Sequence, residues 1–385
     1  MEHVDHVVVG LGALGSATVY QLAARGADVL GLEQFELGHV RGASHDTSRI
    51  IRRAYDRPEY VRLADSAYRD WADFEAVSGE RLVTRTGGLY FCPADAPVPA
   101  AHYLDSLLTC GVEHEALDPA TVRQRFPQFD VPDGVTTVWT PDSGIVHASR
   151  SVAALQMQAR MRGARLRDRC AVTALEEDAD GVVVQTAQGP VHAGNVVLCT
   201  DAWTNRLLAP LGAQVPLRVM QEQVTYFKPP QSADFEIGRF PVWIWEGPVC
   251  YYGFPCYGET TVKAARDVSE VDMDVDQRTF VPSADRAAEL QAFMSSVIPG
   301  SGSSLRTVTC QYALTPDRDF VIDSLPGHPR LLLGLGAGHG FKFTPTFGRV
   351  LAELATTGVT SDDVSLFRAD RPSLGSAGAL VPSGV

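Results

Sequence analysis

Asp5-His6-Val7-Val8-Val9-Gly10-Leu11-Gly12-Ala13-Leu14-Gly15 opens the stretch that decides the fold, and Ser16 to Gln34, SATVYQLAARGADVLGLEQ, completes it. The apolar, β-branched run Val7 to Val9 is what a fully buried parallel strand requires, and it feeds directly into G-x-G-x-x-G. Gly10 allows the tight turn, Gly12 lets the backbone approach a pyrophosphate, and Gly15 lets the following helix lie close on the strand. That helix, expected from Ala13 to Ala24, has no acid in its first turn, so Ala13, Leu14 and their neighbours offer N–H groups to an anion. After Gly26 a second strand, Asp28 to Leu32, ends in Glu33-Gln34, roughly 20 residues past the first glycine, where a carboxylate accepts from ribose hydroxyls. The same carboxylate repels a 2′-phosphate, which disfavours NADP.

Composition bounds the rest. The chain has 385 residues, 45% hydrophobic and 21% charged, enough core for two domains that share an interface. A net charge of −13, with no basic cluster longer than Arg52-Arg53, disfavours a nucleic-acid or anionic-membrane role. No apolar stretch approaches the roughly 18 residues of a membrane span, and the first apolar run is a short strand rather than a leader, so a cytoplasmic protein is expected. Seven cysteines, Cys92, Cys110, Cys170, Cys199, Cys250, Cys256 and Cys310, lack C-x-x-C spacing; reduced thiols are expected, without a disulfide framework or a metal site.

Beyond Glu33, an Arg-rich run Ser48-Arg49-Ile50-Ile51-Arg52-Arg53 follows a polar loop and is expected near the cofactor crevice. Pro58 opens a helix whose Leu63, Ala67, Trp71 and Phe74 form a core stripe and which stops at Gly79. From Arg85 short strand-like runs begin a different domain. Helix Ser149 to Arg162 and strands within 181–199 return the chain to the nucleotide domain, whereas 217–256 is β-rich and aromatic. There Trp243, Trp245 and Tyr252 are candidates for a pocket wall. A helix from Ala284 to Val297, a buried strand Leu331 to Leu335, the segment Gly336-Ala337-Gly338-His339-Gly340-Phe341-Lys342-Phe343 and a helix from Thr346 to Thr357 complete the chain before a tail from Ser373 that is expected to fray.

A second glycine-rich segment, again strand, glycines, helix, favours FAD over NAD. Its helix N-terminus suits the end of a flavin where negative charge builds on reduction. Lys342 lies there between two phenylalanines, where a charge is costly unless it reaches solvent or a ligand anion.

Five segments in order resemble the monomeric sarcosine oxidase family of flavin amine oxidases, which includes N-methyltryptophan and pipecolate oxidases. They are the opening fingerprint, Ser44-His45-Asp46-Thr47-Ser48-Arg49-Ile50-Ile51-Arg52, Tyr251-Tyr252-Gly253-Phe254-Pro255, the run from Cys310-Gln311-Tyr312 to Asp323, and Gly338-His339-Gly340-Phe341-Lys342-Phe343. The resemblance spans essentially the whole chain and implies covalent FAD, attached through its 8α carbon to Cys310. It implies that Arg52 and Lys342 hold a substrate carboxylate, that Lys263 promotes reaction with O2, that His45 and Arg49 lie close to the flavin ring, and that Tyr252 lines the pocket. Gly10, Gly12, Ala13, Leu14, Gly15, Glu33, Gln34, Ser44, Ser48, Arg49, Gly336, Gly338, His339, Gly340 and Lys342 are the expected cofactor contacts. Two positions depart from close relatives: Asp267, where a histidine is usual, which is expected to change the charge of the substrate pocket, and Asp201, where a small residue is usual, which is expected to adjust an FAD contact.

The fold expected is α/β, a two-domain flavoprotein. A discontinuous Rossmann-type FAD-binding domain takes 1–85, 146–216 and 306–372, and a β-rich substrate domain takes 86–145 and 217–305. The function implied is oxidation of a secondary or cyclic α-amino acid by a monomer, with O2 reduced to H2O2. The alternatives are a dehydrogenase of the same fold with another acceptor, or a non-catalytic FAD-binding protein; the latter has no use for Arg52, Lys263 and Lys342 together.

Overall fold

Val7 and Val8 are wholly shielded from solvent, and the strand that carries them, Glu2–Val9, accordingly lies inside a parallel layer. A computed structural model describes residues 1–375 of the chain. Glu2–Val9 pairs in parallel with Val29–Leu32 on one side, and that strand in turn with Arg165–Arg167. On the other side it pairs with Val191–Leu198, whose last residues pair in parallel with His328–Leu335. Antiparallel additions, Val172–Glu177 with Val182–Thr186 and the strand Val321–Leu325, make eight strands in all. The helix Ala13–Ala24 packs between helices Ala148–Met161 and Thr344–Thr357.

A second eight-stranded sheet runs in the order Ser303–Leu314, Arg218–Lys228, Val262–Arg266, Cys250–Phe254, Val242–Glu246, Gly88–Cys92, Thr136–Thr140, Glu115–Leu117. Its longest pairing joins Arg218–Lys228 to Ser303–Leu314, antiparallel. The domain boundary expected at 306 therefore falls inside a strand: Cys310 belongs to the second sheet by hydrogen bonding, not to the nucleotide domain. A composition change marks where a chain alters texture, but a long strand keeps its alternation through it. Ser48–Ile51 pairs with Gly144–His147, which also pairs with Val83–Arg85, in a separate three-stranded sheet.

Helix Pro58–Ser78 begins with Pro58 at its first position, where a missing N–H costs nothing, and ends at Gly79 with φ 72°, the left-handed stop. Its buried face includes Leu63, Ala67, Trp71 and Phe74, the expected stripe. Trp71 does more than pack: its Nε1–H donates to the carbonyl of Lys342 at 2.8 Å, so this core helix fixes the backbone of a candidate site residue. Helix Pro372–Gly375 takes up the first residues of the expected tail; the remainder, 376–385, lies outside the described residues. Among the described residues no helix is long and apolar enough to cross a membrane, no cluster of His, Cys, Asp and Glu is arranged to hold a metal ion, and all seven cysteines are free thiols.

Candidate active site

The glycine turn shows why each glycine is needed. Gly10 has φ 87°, and a Cβ there would meet the Cys199 carbonyl oxygen at 2.5 Å. A Cβ on Gly15 would lie 1.8 Å from the Gly10 carbonyl oxygen, so the helix can approach the strand only with glycine at this position. Gly15 thus shapes the turn from beneath, as expected from its place in the motif, and is not among the residues lining the cavity above it. Gly12 caps the helix with no side chain, and no acid lies in the first turn.

That turn forms one end of a cavity of about 600 Å³ lined by Gly10, Gly12, Ala13, Leu14, Glu33, Gln34 and Ser44, and at its other end by Arg49, Gly336, Gly338 and Gly340. Ser44 Oγ accepts from Ala13 N at 2.9 Å. Glu33 is buried and accepts from Leu11 N at 2.9 Å and Phe35 N at 3.1 Å. Burial alone would raise its pKa, but His39 and these two N–H groups outweigh it and hold the carboxyl below its ordinary value. An ionised carboxylate has acceptor sites left over for ribose hydroxyls. The uncapped helix start, the ionised acid beside it and a cavity that runs on to the second glycine segment together fit a dinucleotide such as FAD. Asp201 also lines this cavity, at φ 45°; burial pushes its carboxyl up to about 6. Gln311 donates to it at a long 3.5 Å.

A second, smaller cavity of about 90 Å³ shares His45, Asp46, Arg49, Tyr312, Gly338 and Phe341 with the first. Its remaining walls include Arg52, Lys342, Lys263, Tyr252, Cys310, Asp267, His339 and Ser48. Ser48, expected as a cofactor contact, instead receives Lys263: the ammonium donates to Ser48 O at 3.2 Å and Ser48 Oγ at 3.1 Å. His339 and Lys342 likewise face the smaller cavity, not the larger.

Lys263 is 4% exposed, so it is not a surface lysine. Its Nζ lies 2.6 Å from Asp46 Oδ2 and 5.0 Å from the centre of the Phe254 ring. Burial lowers its pKa to about 8, and Asp46 opposes the fall. Asp46 in turn accepts from Tyr226 OH at 2.6 Å, and the Lys263 charge keeps it far below the usual carboxylate range against the opposing effect of burial. Burial, reinforced by the Arg49 charge, lowers His45 to about 4, so the ring is neutral. Arg49 spends its donors on the backbone, on Ala43 O at 2.7 Å, His45 O at 2.9 Å and Ser48 O at 2.9 Å, which fixes the loop around the shared wall.

Arg52, 1% exposed, donates to Ala54 O at 2.9 Å, stacks 4.3 Å from the Tyr55 ring centre and leaves one terminal nitrogen without a partner. Glu246 stands 3.9 Å behind it. Lys342 donates to the His339 carbonyl at 2.8 Å; among the described residues no carboxylate lies within ion-pair distance of it. Burial and the Arg52 charge hold its pKa well below the ordinary value, and an anion beside it would oppose that fall.

Three more sequence expectations change. Trp243 and Trp245 do not line the cavity: Trp243 packs with Phe129 and Phe293, and Trp245 with Phe91 and Phe293, on the opposite face of the sheet. Strand alternation gives the cavity Ile244 instead. Asp267 is in the wall as expected, but Arg318 donates to it at 2.9 Å, both buried, so the pair is neutral and leaves the pocket's charge unaltered. Asp46, Glu222 and Arg318 escaped sequence reasoning as site residues; Asp46 and Arg318 lay inside motifs that drew attention for their neighbours. Cys310 lines the smaller cavity as a buried free thiol.

A family model described as FAD dependent oxidoreductase matches residues 5–354. The chain is similar to monomeric sarcosine oxidase of Streptomyces avermitilis, 36% identical, covering 94% of this chain and 96% of that one. It is also similar to N-methyl-L-tryptophan oxidase of Salmonella arizonae, 30% identical, covering 95% and 98%. Among solved structures, NikD, titled an unusual amino acid oxidase essential for nikkomycin biosynthesis, superposes with a TM-score of 0.86 at 29% identity, covering 96% of this chain and 98% of that one. With a dinucleotide cavity meeting a buried cationic pocket, and with these matches over nearly its whole length, the chain belongs to the FAD-dependent oxidoreductase family, in the group of monomeric sarcosine oxidase and N-methyl-L-tryptophan oxidase.

Proposed function

We propose that the protein is an oxidase of a secondary or cyclic α-amino acid, of the sarcosine, N-methyl amino acid or pipecolate type. The observation that carries this is the pair of buried cations, Arg52 and Lys342, on one wall of a small cavity, one with an unused nitrogen and one with no acid paired to it. Such a pair is costly unless an anion completes it, and an amino acid's carboxylate does so with a planar fork and a point charge. The residues lining the larger cavity would hold FAD, which would supply the redox chemistry, accepting a hydride from the C–H beside the amine nitrogen and returning two electrons to O2 as H2O2. The walls Ile244, Tyr252 and Phe254 exclude water and orient the amine. Lys263, in the wall of the same small cavity, is the fixed cation for oxygen. Cys310 is the thiol that would hold the flavin covalently, through a thioether to its 8α carbon.

The attachment has a direct test. Acid-precipitated protein is expected to stay yellow, and a peptide containing Cys310 to gain the mass of FAD. A colourless pellet means the cofactor is held without a covalent bond. The same preparation, mixed anaerobically with N-methyl amino acids, pipecolate or proline, is expected to lose its visible flavin absorbance with at least one of them.

A further inference from the structure

One acid in the wall of the smaller cavity has no cation paired with it among the described residues. Asp46 is spent on Lys263 and Asp267 on Arg318, whereas Glu222, 4% exposed, forms no ion pair. Glu222 sits in strand Arg218–Lys228 directly opposite Cys310, so both side chains point from the same face of the sheet into the cavity. Its oxygens accept from Ser269 N at 3.0 and 2.9 Å, and one of them also from Ser269 Oγ at 3.1 Å, which anchors the carboxylate and leaves it acceptor sites to spare. An unpaired acid and two cations lining one cavity together with apolar side chains give the site the polarity of a zwitterion.

The chemistry proposed above requires something of that acid, and the inference rests on that proposal. An amino acid arrives as an ammonium, with a pKa of roughly 10 as for an alkylamine. Nitrogen without a lone pair cannot assist departure of hydride from the neighbouring carbon. Arg52 and Lys342 cannot take the proton, because they are the groups that bind the carboxylate.

We propose that Glu222 is the base that deprotonates the bound substrate. The N–H bond breaks, its electron pair stays on nitrogen, and the proton forms an O–H bond on the Glu222 carboxyl. Ammonium and carboxylate become amine and acid, so no net charge is created or lost and no other reactant is needed. The groups facing Glu222 suit this role: Asp267 and Ser269 come from the segment after strand Val262–Arg266, Cys310 and Tyr312 from the neighbouring strand, and Arg318 stands behind Asp267. Arg49, Lys263 and Lys342 line the other walls. Burial pushes the Glu222 carboxyl up to about 7, Asp267 adds to the rise, and the Ser269 N–H and the Arg318 charge oppose it. A base poised near neutral pH accepts and releases a proton readily.

Anaerobic reduction of the FAD-loaded enzyme by its amino acid substrate, followed by stopped-flow absorbance from pH 6 to pH 10, tests the assignment. In the wild type, the apparent Kd should rise below pH ~7, where Glu222 is already protonated, and stay flat above it. Glu222→Gln should bind productively at least ~30-fold more weakly at pH 7 and recover to within about threefold near pH 10, where the free amine forms in solution. A loss equal at both pH values, or a profile matching the wild type, overturns the assignment. Should Glu222→Gln fail to hold FAD, Glu222→Asp retains the acid in a changed setting, and an acid limb at the wild-type midpoint overturns it equally. A wild type inert toward every amino acid overturns the oxidase reading and this inference with it. A reducible wild type with an indifferent mutant overturns this inference alone.

Discussion

Lys263→Met is expected to slow reoxidation of the reduced enzyme by O2 at least ~100-fold while anaerobic reduction by substrate changes far less. Oxygen reduction begins by placing a negative charge on O2, and a preorganised cation in a site shielded from water stabilises that charge by ~3 kcal/mol or more. Lys263 meets both conditions: it is 4% exposed, and Asp46 at 2.6 Å with Ser48 holds its ammonium in place. Methionine keeps the length and loses the charge. The pH profile gives a second reading. Burial lowers Lys263 to about 8, so the cation is present below that pH and lost above it. The wild-type reoxidation rate should therefore fall as pH rises through about 8, and the Lys263→Met rate should not follow it. Stopped-flow absorbance of each half-reaction separates the two effects. A mutant that reoxidises at the wild-type rate would remove Lys263 from oxygen chemistry.

The second large effect is expected at the carboxylate clamp. Removing either cation, as Arg52→Gln or Lys342→Met, strips a charged hydrogen bond of ~1.5–3 kcal/mol, so a simple carboxylic acid inhibitor should bind roughly tenfold to a few hundredfold more weakly. Lys342→Met is the cleaner experiment, because Lys342 has no acid partner to strand, whereas Arg52→Gln leaves Glu246, 3.9 Å away, buried without its cation. Burial pushes Glu246 up to about 7, so in that variant it takes up a proton more easily than an ordinary carboxyl. Inhibitor affinity read from flavin absorbance changes checks both. Unchanged affinity in both variants would put the carboxylate elsewhere.

The parts of this site legible in the sequence are those where local chemistry admits few solutions. Val7 to Gly15 has one reading because a buried strand, a turn at positive φ and a close helix each restrict residue type independently. The helix Pro58–Ser78 was bounded by Pro58 and Gly79 for the same kind of reason. Lys342 stands out in the sequence as a charge between aromatic residues, and in the structure it is buried. Alternation tells which residues share a face but not which face meets the cavity, so the sequence does not place Trp243 and Trp245 in the core; Ile244 takes the cavity position. Asp267 was legible as an acid in the wall but not as a neutralised one, since Arg318 reaches it across 51 positions of sequence. Glu222 had no local signal at all: its meaning comes from its register opposite Cys310, a pairing made by a strand more than 80 residues away.

The central claim is that two cavities meeting at one shared wall make an FAD oxidase for a secondary or cyclic α-amino acid. It is tested most directly by peroxide release in air from purified enzyme given sarcosine, N-methyl amino acids, pipecolate, proline and D-amino acids in turn. The account predicts that at least one secondary amino acid yields H2O2 in equal amount to the O2 consumed, and that the corresponding amine without a carboxylate yields almost none. An enzyme whose flavin is reduced by such an amino acid but hardly reoxidised by O2, while a quinone or ferredoxin restores it, would contradict the oxidase account and make the protein a dehydrogenase.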